Sequence, residues 1–374
     1  MKVWFIAIGF SFFLFSACKE GKGFYHVYPG ESIQDTLEKA AKDPLRKRIK
    51  VHAGTYRPSA KGEALIWFNA RHDGITLETD GDVILTAANP EIADPKAPSY
   101  PAVVNHVVYF GDRISRKTVF RGFKITGANH FVSGSGQTSP IESNTSLKKS
   151  PFFYTDGGGI KIFGESSPTI EDVEIAENYA SPCGGGVSVE QVGFNRNPVL
   201  FKNVVFRDNR AQNTGSAVDL LSGSSAIIDN SLFVGNISNI GNDELSRTAG
   251  QEPYNHPYGS GALTVFAGSS AEVRNSTFTD NGAGVDDKGS SSSYYQTIFW
   301  NNAHSGGISH GPRYELDLLD GGRVRGCFIH GNANDIRGII DRSQNRFDPP
   351  APNFDLNYVP RSIEYSGIGY RPSR

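Results

Sequence analysis

The chain has 374 residues, 37 of them basic and 39 acidic, for a formal net charge of −2. That near-neutral balance, with no basic stripe, argues against a nucleic-acid-binding arm or an acidic tail. Glycine supplies 42 residues, about 11% against a usual ~7%, an excess that fits many turns and close backbone approaches better than a helical bundle.

Lys2 is followed by an apolar run from Val3 to Phe15 and then by Ser16-Ala17-Cys18-Lys19, the pattern of an export leader. The run is short for a membrane span. Phe15-Ser16-Ala17-Cys18 resembles the bacterial lipoprotein signal box, with Phe15 where that motif prefers Leu. The resemblance implies cleavage after residue 17, lipid attachment at Cys18, and a tether over 18–26. The protein would then hang from a membrane of the bacterial cell envelope, the outer in preference to the inner. Beyond Cys18 only Cys183 and Cys327 remain. A disulfide between them is open in an oxidising compartment, and two buried free thiols are the preferred reading.

Ser32 is placed to cap a short helix, with Asp35 three residues on and Ile33, Leu37, Ala40 and Ala41 on one face. Repeats dominate from there. One element is a large apolar residue with Asn three positions later: Ile175 and Asn178, Phe206 and Asn209, Phe233 and Asn236, Phe278 and Asn281, Phe299 and Asn302. Ile125 with Asn129 and Phe328 with Asn332 are looser copies.

A second element is small-small-apolar: Gly158-Gly159-Ile160, Gly185-Gly186-Val187, Ser216-Ala217-Val218, Gly261-Ala262-Leu263, Ala283-Gly284-Val285 and Gly306-Gly307-Ile308. From the second element to the first the steps are 15, 19, 15, 15, 14 and 20; from the first to the next copy of the second they are 35, 12, 12, 30, 7 and 9. Length variation is therefore concentrated at one corner of the repeat.

Between these elements lie short alternating segments such as Thr169 to Ile175 and Ala271 to Phe278. They read as half-buried strands too small for a private core, which must stack on their neighbours. The solution is an all-β fold: a single-stranded parallel β-helix, or solenoid, over residues 27–340 preceded by a short N-terminal helix. About ten to twelve coils are expected at ~4.8 Å each. Asn after the strand suits a left-handed turn position and a stack of amides along the axis. The Pro-, Arg- and Tyr-rich residues 341–374 are expected to cover the last coil as a capping tail.

These alternating motifs resemble the right-handed β-helix proteins of the pectate-lyase-like fold, especially the repeat-rich branch that includes the polymorphic outer-membrane proteins. Val27-Tyr28-Pro29-Gly30-Glu31-Ser32-Ile33-Gln34 and Ala53-Gly54-Thr55-Tyr56 look like the opening of many such chains, in which a helix caps the first coil. The resemblance spans about Val27 to Asn332. It bears on fold far more than on activity.

Chemistry is expected on two insertions at the variable corner, His130 to Asp156 and Ile237 to Tyr258, about 14 Å apart at three coil steps. Candidate ligand-binding residues are Tyr154, Tyr254, His256 and Tyr258; Asp243 and Glu244 are the candidate metal ligands, for calcium. No other cofactor is expected. Lys148-Lys149 could neutralise a uronate and a Tyr or His could abstract the neighbouring proton, so a polysaccharide lyase acting by β-elimination is the alternative to a surface protein that binds a polysaccharide or another extracellular partner. No catalytic residue is assigned.

Asp286-Asp287 with Ser309-His310-Gly311 is superficially similar to polygalacturonase signatures. The companion motifs are absent, and Asp286-Asp287 follows the repeat's apolar residue, where a solvated turn is the better reading. A third excursion, His304 to Asp320, carries His310, Arg313 and Tyr314. The glycine triplets recur with the coil and do not form a phosphate cradle, so neither a nucleotide nor a nucleic acid is expected as a partner.

Overall fold

The computed structural model describes residues 23–111, 113–133, 147–150, 152–221, 223–240, 261–289, 291–305, 312–319, 323–332, 334–338 and 340–372. The capping helix spans Ile33–Lys42, and the Asp35 N–H donates to Ser32 Oγ at 3.1 Å. Its apolar stripe, Ile33, Leu37 and Ala40, is buried against the first coil.

From Arg48–Tyr56 onward the strands stack as parallel ladders, forming a 17-stranded sheet, a nine-stranded sheet and a two-stranded corner. On the nine-stranded sheet Val108, Ile160, Val187, Val218, Leu263, Val285, Leu316 and Ile336 are in register. Facing them across the core, Ile125, Ile175, Phe206, Phe233, Phe278, Phe299, Ile329 and Phe347 form the second stack. The rings of Phe206, Phe233, Phe278 and Phe299 follow one another at 4.5, 4.1 and 5.2 Å. Each such side chain contributes about 2 kcal/mol of burial.

Among the described residues the 17-stranded sheet stacks eleven levels from Tyr25–Val27 to Arg346–Phe347, within the ten to twelve coils expected, and the shorter sheet nine. Two details differ from the expectations. The position next to Val285 in the ladder is taken by Leu316, so Tyr314-Glu315-Leu316 supplies the coil expected of Gly306-Gly307-Ile308, three residues outside the described set. Secondly, the repeat Asn is not the left-handed residue. The residue before it is: Glu177, Asp208, Asp280 and Asn301 have φ of 57°, 53°, 56° and 60°, and Gly235 has 67°. The turn at that residue aims the Asn inward.

The inward amides form a continuous ladder. Nδ2 of Asn178, Asn209, Asn236 and Asn281 donates to Oδ1 of the next Asn at 3.1, 3.0, 2.9 and 2.8 Å. Asn302 Nδ2 ends it on Glu315 Oε2 at 2.6 Å, and Glu315 Oε1 accepts the N–H groups of Asn302 and Ala303. The looser copies stay out of it: Asn129 donates to the Tyr100 carbonyl instead.

The small residues of the second motif allow backbone contact between coils. A Cβ on Gly159 would lie 2.5 Å from Gly186 O, and one on Gly186 would lie 2.6 Å from Ala217 O. Residues 341–372 take a longer path than a cover for the last coil. Arg346–Phe347 completes a rung, and the chain then runs back along the flank. Tyr365 packs on Phe328 at 4.8 Å, Tyr370 N–H donates to Thr277 Oγ1 at 3.0 Å, and Arg371 N–H donates to Asn230 Oδ1 at 2.7 Å. Leu232 and Val234, which point away from the axis, are covered by Tyr370 and Tyr358. No helix among the described residues is long and apolar enough to cross a membrane.

Candidate functional site

The two insertions leave the rod at one corner. Asn129 bridges Tyr179, Tyr179 pairs with Arg210, and Arg210 bridges Ile237, all parallel. Their roots therefore occupy one column, three rungs apart, or about 14 Å. This corner borders the outer face of the nine-stranded sheet, where strand alternation presents Trp67, Tyr109, Lys161, Ser188, Asp219, Thr264, Asp286, Asp317 and Arg337 in one row.

The end of the first insertion lies on the beginning of this row. Phe153 packs edge-on against Tyr109 at 6.1 Å and Phe163 at 4.7 Å, in a cluster that Trp67, Leu147 and Tyr154 flank. Tyr154 and Lys149 come together there: Lys149 Nζ donates to Tyr154 Oη at 3.1 Å and sits 4.3 Å from the centre of the Phe153 ring. Beneath them Lys161 is fully buried, with Nζ 2.8 Å from Glu190 Oε2 and 3.2 Å from Ser188 Oγ.

Further along, the row is acidic. Neither oxygen of the buried Asp219 has a well-directed hydrogen bond, although the Thr214 hydroxyl lies beside it. Burial, reinforced by the Asp156 charge, holds the Asp219 carboxyl well above the usual carboxylate range. Asp156 is pushed up to about 7 by burial, partly opposed by Lys161. Asp286 also reaches about 7 by burial, opposed by Lys288, whose Nζ stands 3.1 Å from both Asp286 Oδ1 and Asp317 Oδ1. Among the other titratable groups, burial drives the His106 imidazole down to about 3, with Nδ1 2.8 Å from Gly157 O. Burial, then Asp156 and Asp219, raise the Cys183 thiol well above its ordinary value. Cys183 and Cys327 are both free and buried, so Cys183 is an inert thiol rather than a nucleophile.

The reading of Asp286-Asp287 as a solvated turn is overturned. Both carboxylates belong to the buried strand Val285–Asp287. Period-two alternation sends them to opposite faces of the sheet: Asp286 joins the outer row, while Asp287 accepts from Tyr294 Oη at 2.6 Å on the core side. Two carboxyls separated by a sheet cannot act together as an acid pair. Tyr314 is buried in the coil, with the Arg337 guanidinium 5.4 Å from its ring centre.

Cys18, Asp243, Glu244, Tyr254, His256, Tyr258 and His310 lie outside the described residues. Of the candidates, Tyr154 is placed, and Lys149 joins it. No cluster of metal-binding His, Cys, Asp or Glu side chains occurs among the described residues. Lys161 and Asp219 hold the repeat position directly after the apolar residue, which the sequence suggests is a solvated turn; the structure buries both. Each is a charged residue in an outward position between inward apolar ones, and that pattern was the available signal. Glu190, the partner of Lys161, is not singled out by its sequence.

A family model described as a right handed beta helix region matches residues 105–247, in agreement with the hand expected for the solenoid. Among solved structures, the crystal structure of pectate lyase Pel9A is similar over 94% of this chain and 88% of that one, at 14% identity and a TM-score of 0.44. No curated protein matches the chain.

Proposed function

We propose that the protein is an exported β-helix, lipid-anchored through Cys18 in the bacterial envelope, that binds a polysaccharide at the corner carrying its two insertions. The observation that carries this reading is the common column of the insertion roots, three rungs apart beside a row of aromatic, hydroxyl and carboxyl side chains. A rigid scaffold with two loops on one edge suits several consecutive sugar rings. Tyr154, Tyr254, His256 and Tyr258 are the proposed contacts, and Asp243 and Glu244 would hold calcium if an acidic glycan uses it.

Binding is favoured over elimination because Lys161 and Lys288, on the described part of the outer face, are engaged. Lys161 is held by Glu190 and Ser188, and Lys288 by Asp286 and Asp317. A proton-abstracting base needs a lone pair directed at the substrate.

Affinity electrophoresis of the mature protein through gels containing neutral or acidic polysaccharides tests the proposal. Retardation by at least one glycan, weakened in Tyr254→Ala and His256→Ala and without ultraviolet-absorbing unsaturated products, is expected. Accumulation of unsaturated products would replace binding by elimination, and equal mobility in every gel would overturn the reading. Radiolabelled fatty acid should enter the wild type and be absent from Cys18→Ala.

A further inference from the structure

The strand Gly62–Phe68 is the terminal strand of the nine-stranded sheet and pairs with Val104–Phe110 on one side. In a parallel ladder, alternate residues turn their peptide groups to opposite neighbours. Gly62 N–H donates to Val103 O at 3.1 Å and Phe68 O accepts from Gly111 N–H at 2.7 Å, so the even-numbered residues serve the existing ladder. The odd-numbered ones face the other way.

At Trp67 that outer edge is closed by one side chain. Trp67 N–H donates to Gln34 Oε1 at 2.9 Å, and Gln34 Nε2 donates to Trp67 O at 3.2 Å. The Gln34 amide thereby takes the place that a peptide unit of another strand would occupy. Two residues earlier, at Leu65, no backbone bond among the described residues continues the pairing. A groove of about 650 Å³ lies there instead, walled by the start of the capping helix, the end of the strand Arg48–Tyr56 and the loop from Arg57 to Lys61. Its acidic side chains are Glu31, Asp35, Glu63 and Glu91, against Arg57 and Lys61. Arg57 is already turned toward Ala88 O at 3.1 Å.

We infer that this groove receives an extended, basic polypeptide segment of a partner, which adds to Gly62–Leu65 as a further strand and continues the pairing that Gln34 begins. Four residues of strand cover about 13 Å. Main-chain bonds would supply affinity, and the acidic rim would select Lys or Arg on the segment. A saccharide could use the same polar groups, but it has no alternating peptide register to match the edge. The inference is independent of the glycan reading, since it concerns the N-terminal groove and a peptide.

The test uses the mature protein and a fluorescently labelled hexapeptide of alternating Lys and Val, blocked at both ends. Controls are its two isomers N-methylated at odd or at even positions, and the peptide with Glu replacing Lys. Saturable binding is expected, with slowed amide exchange confined to residues 62–67. Strand addition uses one alternate set of N–H groups, so the two N-methylated isomers should differ by at least ~10-fold in affinity. The Glu peptide should bind at least ~10-fold more weakly, and Glu91→Lys, an exposed change, should weaken the Lys peptide several-fold. No binding up to about 1 mM, equal affinity of the two N-methylated isomers, or exchange at 62–67 slowed by oligosaccharides and not by the peptide would each overturn the inference.

Discussion

Replacing Asn236 by Ala probes the feature on which the repeat depends. Asn236 Oδ1 accepts the Asn209 N–H at 3.1 Å and Asn209 Nδ2 at 3.0 Å, while its Nδ2 donates to Phe206 O and Asn281 Oδ1, both at 2.9 Å. The site is fully buried. Truncation removes these bonds and a longer one from Nδ2 to Val234 O at 3.2 Å, and it leaves the Asn209 N–H without an acceptor, whereas Asn209 Nδ2 keeps Ile175 O and Asn281 Oδ1 keeps the Asn236 N–H. With about 1 kcal/mol for each lost bond that has a substitute and about 1–3 kcal/mol for the orphaned donor, the expected loss is roughly 3–5 kcal/mol. Asn195→Ala, which removes a surface bond to Gly268 O, should cost under about 1 kcal/mol. Urea unfolding followed by circular dichroism measures both. A loss for Asn236→Ala within about 1 kcal/mol of that for Asn195→Ala, at equal denaturant dependence, would show that the ladder does not hold the coils together.

The pH dependence should run opposite to ordinary acid denaturation over one interval. Asp156, Asp286 and Glu315 are each raised to about 7, chiefly by burial. The folded state therefore retains protons on these three carboxyls that the unfolded chain has released. They outnumber the buried imidazoles His72 and His106, lowered to about 4 and about 3 by burial, which oppose them, so stability declines as pH rises from the ordinary carboxylate range through about 7. Below that range Glu38 and Glu171, whose arginine and lysine partners outweigh burial and hold them low, lose their contribution as they protonate. Melting temperature should peak near pH 5; a steady rise from pH 5 to 8 would refute the assignment. Lys161→Ala, which strands the buried Glu190, should destabilise by about 3–5 kcal/mol in chemical unfolding, while Lys161→Met with Glu190→Leu should lose much less. Ser32→Ala should cost about 1 kcal/mol through loss of the helix cap, measured in the same way.

The solenoid was legible because its physics is local and repeated. Phe206, Phe233 and Phe278 recur with their Asn residues because every rung must fill the same slot in the core and close the same corner. Length variation at that corner also located the insertion roots, since an added loop there leaves the ladders intact. Other features depend on neighbours that sequence spacing does not reveal. A left-handed Asp208 and an inward Asn209 look interchangeable until the axial partner of the amide, Asn236, is in place.

The sequence by itself determined a stacked all-β rod, its capping helix and the corner where insertions leave it, because periodic burial and turn chemistry are encoded within single repeats. Only the tertiary structure decided that Asp286 and Asp287 face opposite sides, that Leu316 closes a rung, that Glu315 ends the amide ladder, and that residues 349–372 return along the flank. Each of these depends on which coil lies above or below, and register between rungs is set by packing across the whole stack.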